Sequence, residues 1–90
     1  MYTFNYSTEE NKQKHGGLYD ILDENGERVA YLRIKYGIVS LYPMLDDEPA
    51  WGIVLGTWIF DDYNKTSLTD EEANTIKEES ISLIDEFFED

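Results

Sequence analysis

Thr69 to Asp90 reads TDEEANTIKEESISLIDEFFED, and it predicts the helix on which the rest of the chain is organised. Thr69 fits an N-cap whose hydroxyl accepts a backbone N–H of the first turn, and Glu72, three residues on, completes a capping box. Leu68 and Ala73 fall at the positions of a hydrophobic staple. Ala73, Ile76, Ser80, Leu83 and Phe87 recur at steps of three and four, and Ile81, Ile84 and Phe88 widen that stripe enough to cover a sheet. Acids recur on the remaining surface in pairs seven residues apart: Glu71/Glu72, Glu78/Glu79 and Asp85/Glu86, with Glu89 and Asp90 after them. At about 1.5 Å per residue, successive pairs stand about 10 Å apart along one side.

From Asp70 to Asp90 there are nine acids and one base, Lys77. Asp70, Glu71 and Glu72 meet the positive end of the helix dipole, which is favourable. Asp85, Glu86, Glu89 and Asp90 crowd the negative end, where each costs about 0.3–1 kcal/mol at low salt. A local rule broken repeatedly without a local gain points to a use other than stability. Fraying and solubility are the plainer account of the same charges.

The 90 residues make one domain, 1–90, able to bury about 60% of the surface its unfolded chain exposes. Hydrophobic residues at 41% and aromatics at 14% set it apart from a disordered acidic tail despite a net charge of −13. It has no cysteine, so disulfide and thiolate chemistry are excluded. The opening residues, Met1-Tyr2-Thr3-Phe4-Asn5-Tyr6, carry neither a basic n-region nor an apolar h-region, and no apolar run reaches membrane-spanning length. A cytoplasmic location is the resulting expectation. Seven bases against twenty acids argue against direct binding to nucleic acid or to an anionic membrane, because phosphate contacts need lysine and arginine in excess. The expected partner is a basic protein, one that itself binds nucleic acid.

Upstream of the helix, Tyr2, Phe4 and Tyr6 alternate with polar residues as a short strand with one aromatic face. Ser7 to His15 reads as a loop or a single helical turn ended by Gly16-Gly17, with His15 as an exposed surface residue. Leu18 to Leu22 and Arg28 to Tyr36 flank Asp23-Glu24-Asn25-Gly26-Glu27, a strong hairpin signal. Its register stays open between a two-residue Asn25-Gly26 turn and a three-residue loop with Gly26 as the bulge residue. Tyr36-Gly37 marks a second turn, and Ile38 to Tyr42 a strand that Pro43 ends or pushes to an edge. Leu45 to Ala50, with Asp46-Asp47-Glu48-Pro49, reads as an acidic loop. Trp51 to Phe60 is apolar on both parities and so reads as a central strand covered on both faces. One helix covers one face only, leaving the other for the N-terminal segment, sheet curvature or a second chain, hence an expectation of dimerisation or of a protein partner. Asp61-Asp62-Tyr63-Asn64-Lys65 leads into the helix. Arg28, Arg33 and Lys35 share one strand, positioned to pair with Asp20 or the helix, or to guard a sheet edge. The predicted architecture is α+β, a mainly antiparallel sheet of four or five strands with one C-terminal helix across a face.

No phosphate-binding loop, nucleophile elbow or metal-binding histidine pair occurs. Asp23, Glu24 and Glu27 lack the further ligands of a calcium loop, and Asp46, Asp47, Asp61 and Asp62 are no more than chance candidates for magnesium among twenty acids. No cofactor, metal or catalytic residue is assigned, and the chain reads as a non-enzyme. In size, charge and lack of catalytic motifs it resembles the small acidic DNA-mimic inhibitors of phages and mobile elements, including antirestriction and anti-CRISPR proteins. That resemblance implies a phosphate-mimicking surface that occupies a basic groove. The candidate partner-binding residues are Glu71, Glu72, Glu78, Glu79, Asp85 and Glu86 of the helix and Asp46, Asp47, Glu48, Asp61 and Asp62 of the loops. Two other classes are carried forward: a small-molecule binder stacking a flat ligand on Tyr19, Tyr31, Tyr42, Trp51 and Trp58, and an assembly subunit that dimerises through the sheet.

Overall fold

In the computed structural model, which describes residues 1–89, the Asn25-Gly26 region joins β2 (Gly17–Leu22) to β3 (Arg28–Lys35). Asp90, the last of the acids counted above, lies outside the described residues. Gly26 N–H bonds to the Asp23 carbonyl at 3.1 Å and Asp23 N–H to the Glu27 carbonyl at 2.9 Å. Gly26 has a φ of 79° while Asn25 stays at negative φ, so the connection is the three-residue loop with a glycine bulge. The Asp23 carboxylate holds it by accepting the N–H groups of Asn25 and Glu27. The resulting register pairs Ile21 with Ala30 and Tyr19 with Leu32, which sends Ala30, Leu32 and Ile34 into one core.

Tyr36 and Gly37, at φ 57° and 74°, form a two-residue turn into β4 (Ile38–Leu45). Both central residues of such a turn need positive φ, and Gly37 also has Asp62 O where a Cβ would stand, 2.3 Å away. Contrary to the expectation that Pro43 ends the strand or pushes it to an edge, β4 runs on through it with partners on both sides. Register explains the tolerance: Lys35 and Ile38 flank a tight turn, so odd-numbered residues of β4 aim their backbone groups away from β3. The Pro43 carbonyl accepts Ala50 N–H on that side, and the missing N–H costs nothing to the β3 ladder. The acidic segment after it is also not a loop. Asp46 and Asp47, at φ 55° and 64°, make another two-residue turn into β5 (Glu48–Pro49).

Trp51 to Phe60 is not a central strand. Ala50 to Leu55 turns, with Trp51 N–H on the Pro49 carbonyl and Ile53 N–H on the Ala50 carbonyl, and only β6 (Gly56–Ile59) extends. It is an edge strand pairing with β4 alone. The doubly covered strand is β4, with six of its eight residues buried. The apolar run serves separate ends: Trp51 folds back over the sheet, Leu55, Trp58 and Phe60 pack on the core, and Ile53, Val54 and Ile59 stay exposed. The sheet is antiparallel throughout, in order β1 (Thr3–Tyr6), β2, β3, β4, with β5 and β6 sharing the outer side of β4. The α+β architecture stands, with two-residue β5 as the sixth strand.

Two helices complete it. α1 (Glu9–His15) is two turns rather than one, capped by the Thr8 hydroxyl on Asn11 N–H and closed by Gly16 at φ 69°. α2 (Asp70–Phe88) carries the full capping box: Thr69 Oγ1 accepts Glu72 N–H at 3.2 Å, and Glu72 accepts Thr69 N–H at 2.9 Å. Its buried residues are Ala73, Ile76, Ser80 and Ile84, packed over Leu32, Ile34, Val39 and Leu41. Phe87, expected on this stripe, and Ile81 and Phe88, expected to widen it, are exposed. The opposite sheet face is closed from within the chain. Tyr31 and Tyr42 lie buried there, Trp51 packs edge-on against both, at 5.8 and 4.9 Å, and His15 of α1 lies 5.2 Å from Trp51. His15 is therefore half-buried rather than exposed, and this face is covered by Trp51 and α1 without a second chain.

Candidate partner-binding surface

Three side chains of the heptad pairs are tied to the protein itself. Glu72 completes the cap and pairs with Lys65 at 3.0 Å; these contacts hold its carboxyl below the usual range, the Thr69 backbone N–H chief among them. Glu79 accepts the Trp58 indole N–H, and Asp85 accepts the Tyr2 hydroxyl at 2.6 Å. That bond to Asp85, helped by burial, pushes the Tyr2 phenol up to about 12. Glu71, Glu78 and Glu86 are exposed, with no side-chain partner among the described residues. They are the outward charges of α2.

No base forms an ion pair with them among the described residues. Six of the seven lysines and arginines are engaged elsewhere. Lys77, the one base of α2, sits 4.7 Å from the Tyr19 ring centre and 5.8 Å from that of Phe4, turned toward the sheet. Arg33 lies 5.2 Å from both the Tyr42 and Trp51 rings, Lys12 covers Tyr6 and Lys35 covers Tyr36. Arg28 approaches Asp20 at 3.8 Å, the pairing expected from their strands, and none of the three β3 bases reaches the helix. Cations spent on π faces keep their charge but stand away from the outer side of α2, which stays unneutralised.

The remaining acids do not merge into one surface. Asp61 and Asp62 follow Phe60 at the start of β4, where Asp62 caps a turn by accepting Asn64 N–H at 2.9 Å. Asp46, Asp47 and Glu48 lie at the far end of β4, eight residues and about 26 Å away. Asp47 and Glu48 border a cavity of about 320 Å³ on the face opposite α2, with His15, Asp20, Arg28, Tyr31 and Trp51. In its wall Asp20 Oδ1 is buried without a hydrogen bond, and burial raises its carboxyl pKa against the opposing pull of Arg28. The Tyr31 hydroxyl is likewise buried and unpartnered.

The five aromatics considered for stacking a ligand divide between the two faces. Tyr19 and Trp58 face α2, and Tyr31 and Tyr42 are buried, leaving Trp51 alone with substantial open surface. A flat ligand finds no shared platform there. What sequence reasoning missed is the open side of β6. Ile59 is 76% exposed beside its exposed cross-strand neighbour Ile38, with Val54 at 51%. Between β6 and α2 runs a groove of about 530 Å³ lined by Trp58, Phe60, Ile76, Glu71 and Glu72. The available signal was Gly52 and Gly56, which punctuate the apolar run and argue against one continuous strand.

These elements define a small, acidic α+β domain with an anionic helix on one face and an unprotected sheet edge beside it. No helix among the described residues is long and apolar enough to cross a membrane. Comparison with protein-family models, curated proteins and solved structures finds no match to this chain.

Proposed function

We propose that the protein is a non-enzymatic inhibitor or adaptor of the cytoplasm that binds a basic, nucleic-acid-binding protein through a phosphate-mimicking surface, in the manner of phage-encoded DNA-mimic, antirestriction or anti-CRISPR proteins. The observation that carries this is the outer side of α2, where Glu71, Glu78 and Glu86 make no ion pair among the described residues while six of the chain's seven bases are held by other groups. At 19 residues, α2 is about 28 Å long, a little under one turn of duplex DNA. Its charges are far sparser than one per about 1.7 Å of duplex. Association with the target is therefore salt-sensitive, with a shallower slope than the target's own binding to DNA. Direct binding to nucleic acid or membrane has no place in this mechanism.

The test is capture of partners from lysate at 0.1 and 0.5 M salt, with elution by duplex DNA. A nucleic-acid-binding protein held only at low salt and displaced by DNA is the expected result. Glu71→Lys/Glu78→Lys/Glu86→Lys loses it while keeping the far-UV spectrum; Asp85 is left alone because it anchors Tyr2. Capture that persists at 0.5 M salt, or in the triple variant, refutes the proposal.

A further inference from the structure

We infer that the free edge of β6 and the groove beside it receive an extended basic segment of the partner as an added strand. This rests on the proposed binding of a basic protein and names the element that is bound. Phe60 N–H bonds to the Gly37 carbonyl at 2.8 Å, and β6 pairs antiparallel with β4 through Trp58 and Val39. Alternation then aims the backbone groups of Thr57 and Ile59 away from the sheet. They form an open row of donors and acceptors.

Natural sheets protect such rows by keeping the edge strand short or with charge, proline, a bulge or a covering loop; β6 is short, at four residues, but Gly56–Ile59 carries no charge and no proline. An added strand would place alternate side chains on its two faces. On one face they enter the groove between Trp58 and Ile76, with Glu71 at the rim; on the other they pack beside Ile59. Charge selects the occupant. A second copy would bring a net −13 against −13, with Asp61 and Asp62 following the same edge, whereas a lysine- or arginine-bearing segment is attracted to all three acids.

The probe is an octapeptide of alternating lysine and valine, titrated calorimetrically at 50 mM salt, with amide hydrogen exchange read at saturation. Exchange at Thr57 and Ile59 should slow at least tenfold, a change that loose electrostatic attachment does not produce. Thr57→Pro, which removes an outward N–H and spares the β4 ladder, should weaken the peptide at least tenfold. Ile59→Lys, at an exposed position, should do the same without imposing a proline on β6. Peptide binding that leaves those amides unprotected and ignores both variants overturns the strand addition, while loss in the Glu71/Glu78/Glu86 variant would still support the acidic surface. Binding indifferent to that variant and to 0.5 M salt defeats both ideas. A dimer seen by sedimentation without peptide and abolished by Thr57→Pro would assign the edge to a second copy and overturn the inference.

Discussion

Replacing Glu86 by lysine should make the protein more stable and a poorer binder. Glu86 lies in the last turn of α2, which has no base, and Glu89 at the C-cap has φ −68° and ψ −23°, so no left-handed residue closes the final carbonyls. A carboxylate there opposes the dipole at a cost of about 0.3–1 kcal/mol, and a lysine turns that cost into a gain of similar size. With Asp85 and Glu89 nearby to attract the new ammonium, a net gain of about 1 kcal/mol is reasonable at low salt, equivalent to about 4–8 °C in Tm for a domain of this size. The assay is thermal unfolding by circular dichroism at 20 and 500 mM sodium chloride. Screening should remove more than half of the rise at the higher salt, because the Debye length shrinks well below 8 Å. Affinity for the basic partner should fall in parallel by about 0.2–1 kcal/mol, the range of an exposed ion pair. A Tm that does not rise at low salt, or rises equally at both, would refute the claim that α2 carries charge against its own stability.

Asp20→Asn addresses the opposite face. Burial raises the Asp20 carboxyl pKa in the folded state, so stability is complete below the unfolded value and is lost as pH rises to the raised one. The amide variant should be more stable at pH 7 and indistinguishable near pH 3; a less stable variant at pH 7 would show that the Arg28 pairing outweighs desolvation. Gly37→Ala should cost about 2 kcal/mol, from positive φ and from the Asp62 carbonyl 2.3 Å from the new Cβ, and an unchanged melting temperature would contradict it.

The capping box and the Asn-Gly and Tyr-Gly turns were legible because each is a local device whose residues lie within four positions of one another; the helical stripe was legible at Ala73, Ile76, Ser80 and Ile84 but not at Ile81, Phe87 and Phe88, which are exposed. The hairpin at Asp46-Asp47 was not. Two aspartates at positive φ mimic a turn that normally advertises itself with glycine or asparagine, so the signal was that of a polar loop. Pro43 misled for a different reason: whether a missing N–H matters depends on which neighbour the residue faces, and that is set by register across three strands. Apolar parity likewise cannot tell burial by a neighbouring strand from burial under a folded-back loop, as Trp51 and Leu55 show. At the surface, the acids were plain in the sequence, but their division into free and internally bonded members required Trp58, Lys65 and Tyr2 to be placed in space.

The two tryptophans fall on opposite sides of the sheet, Trp58 bonded to Glu79 beneath α2 and Trp51 among Tyr31, Tyr42 and His15. The molecule thus carries a separate optical reporter for each side. With Trp51→Phe, emission follows events at the helix and the β6 margin; with Trp58→Phe, it follows the other cavity. A ligand's docking side can then be told from colour and quenching alone, before any complex is crystallised.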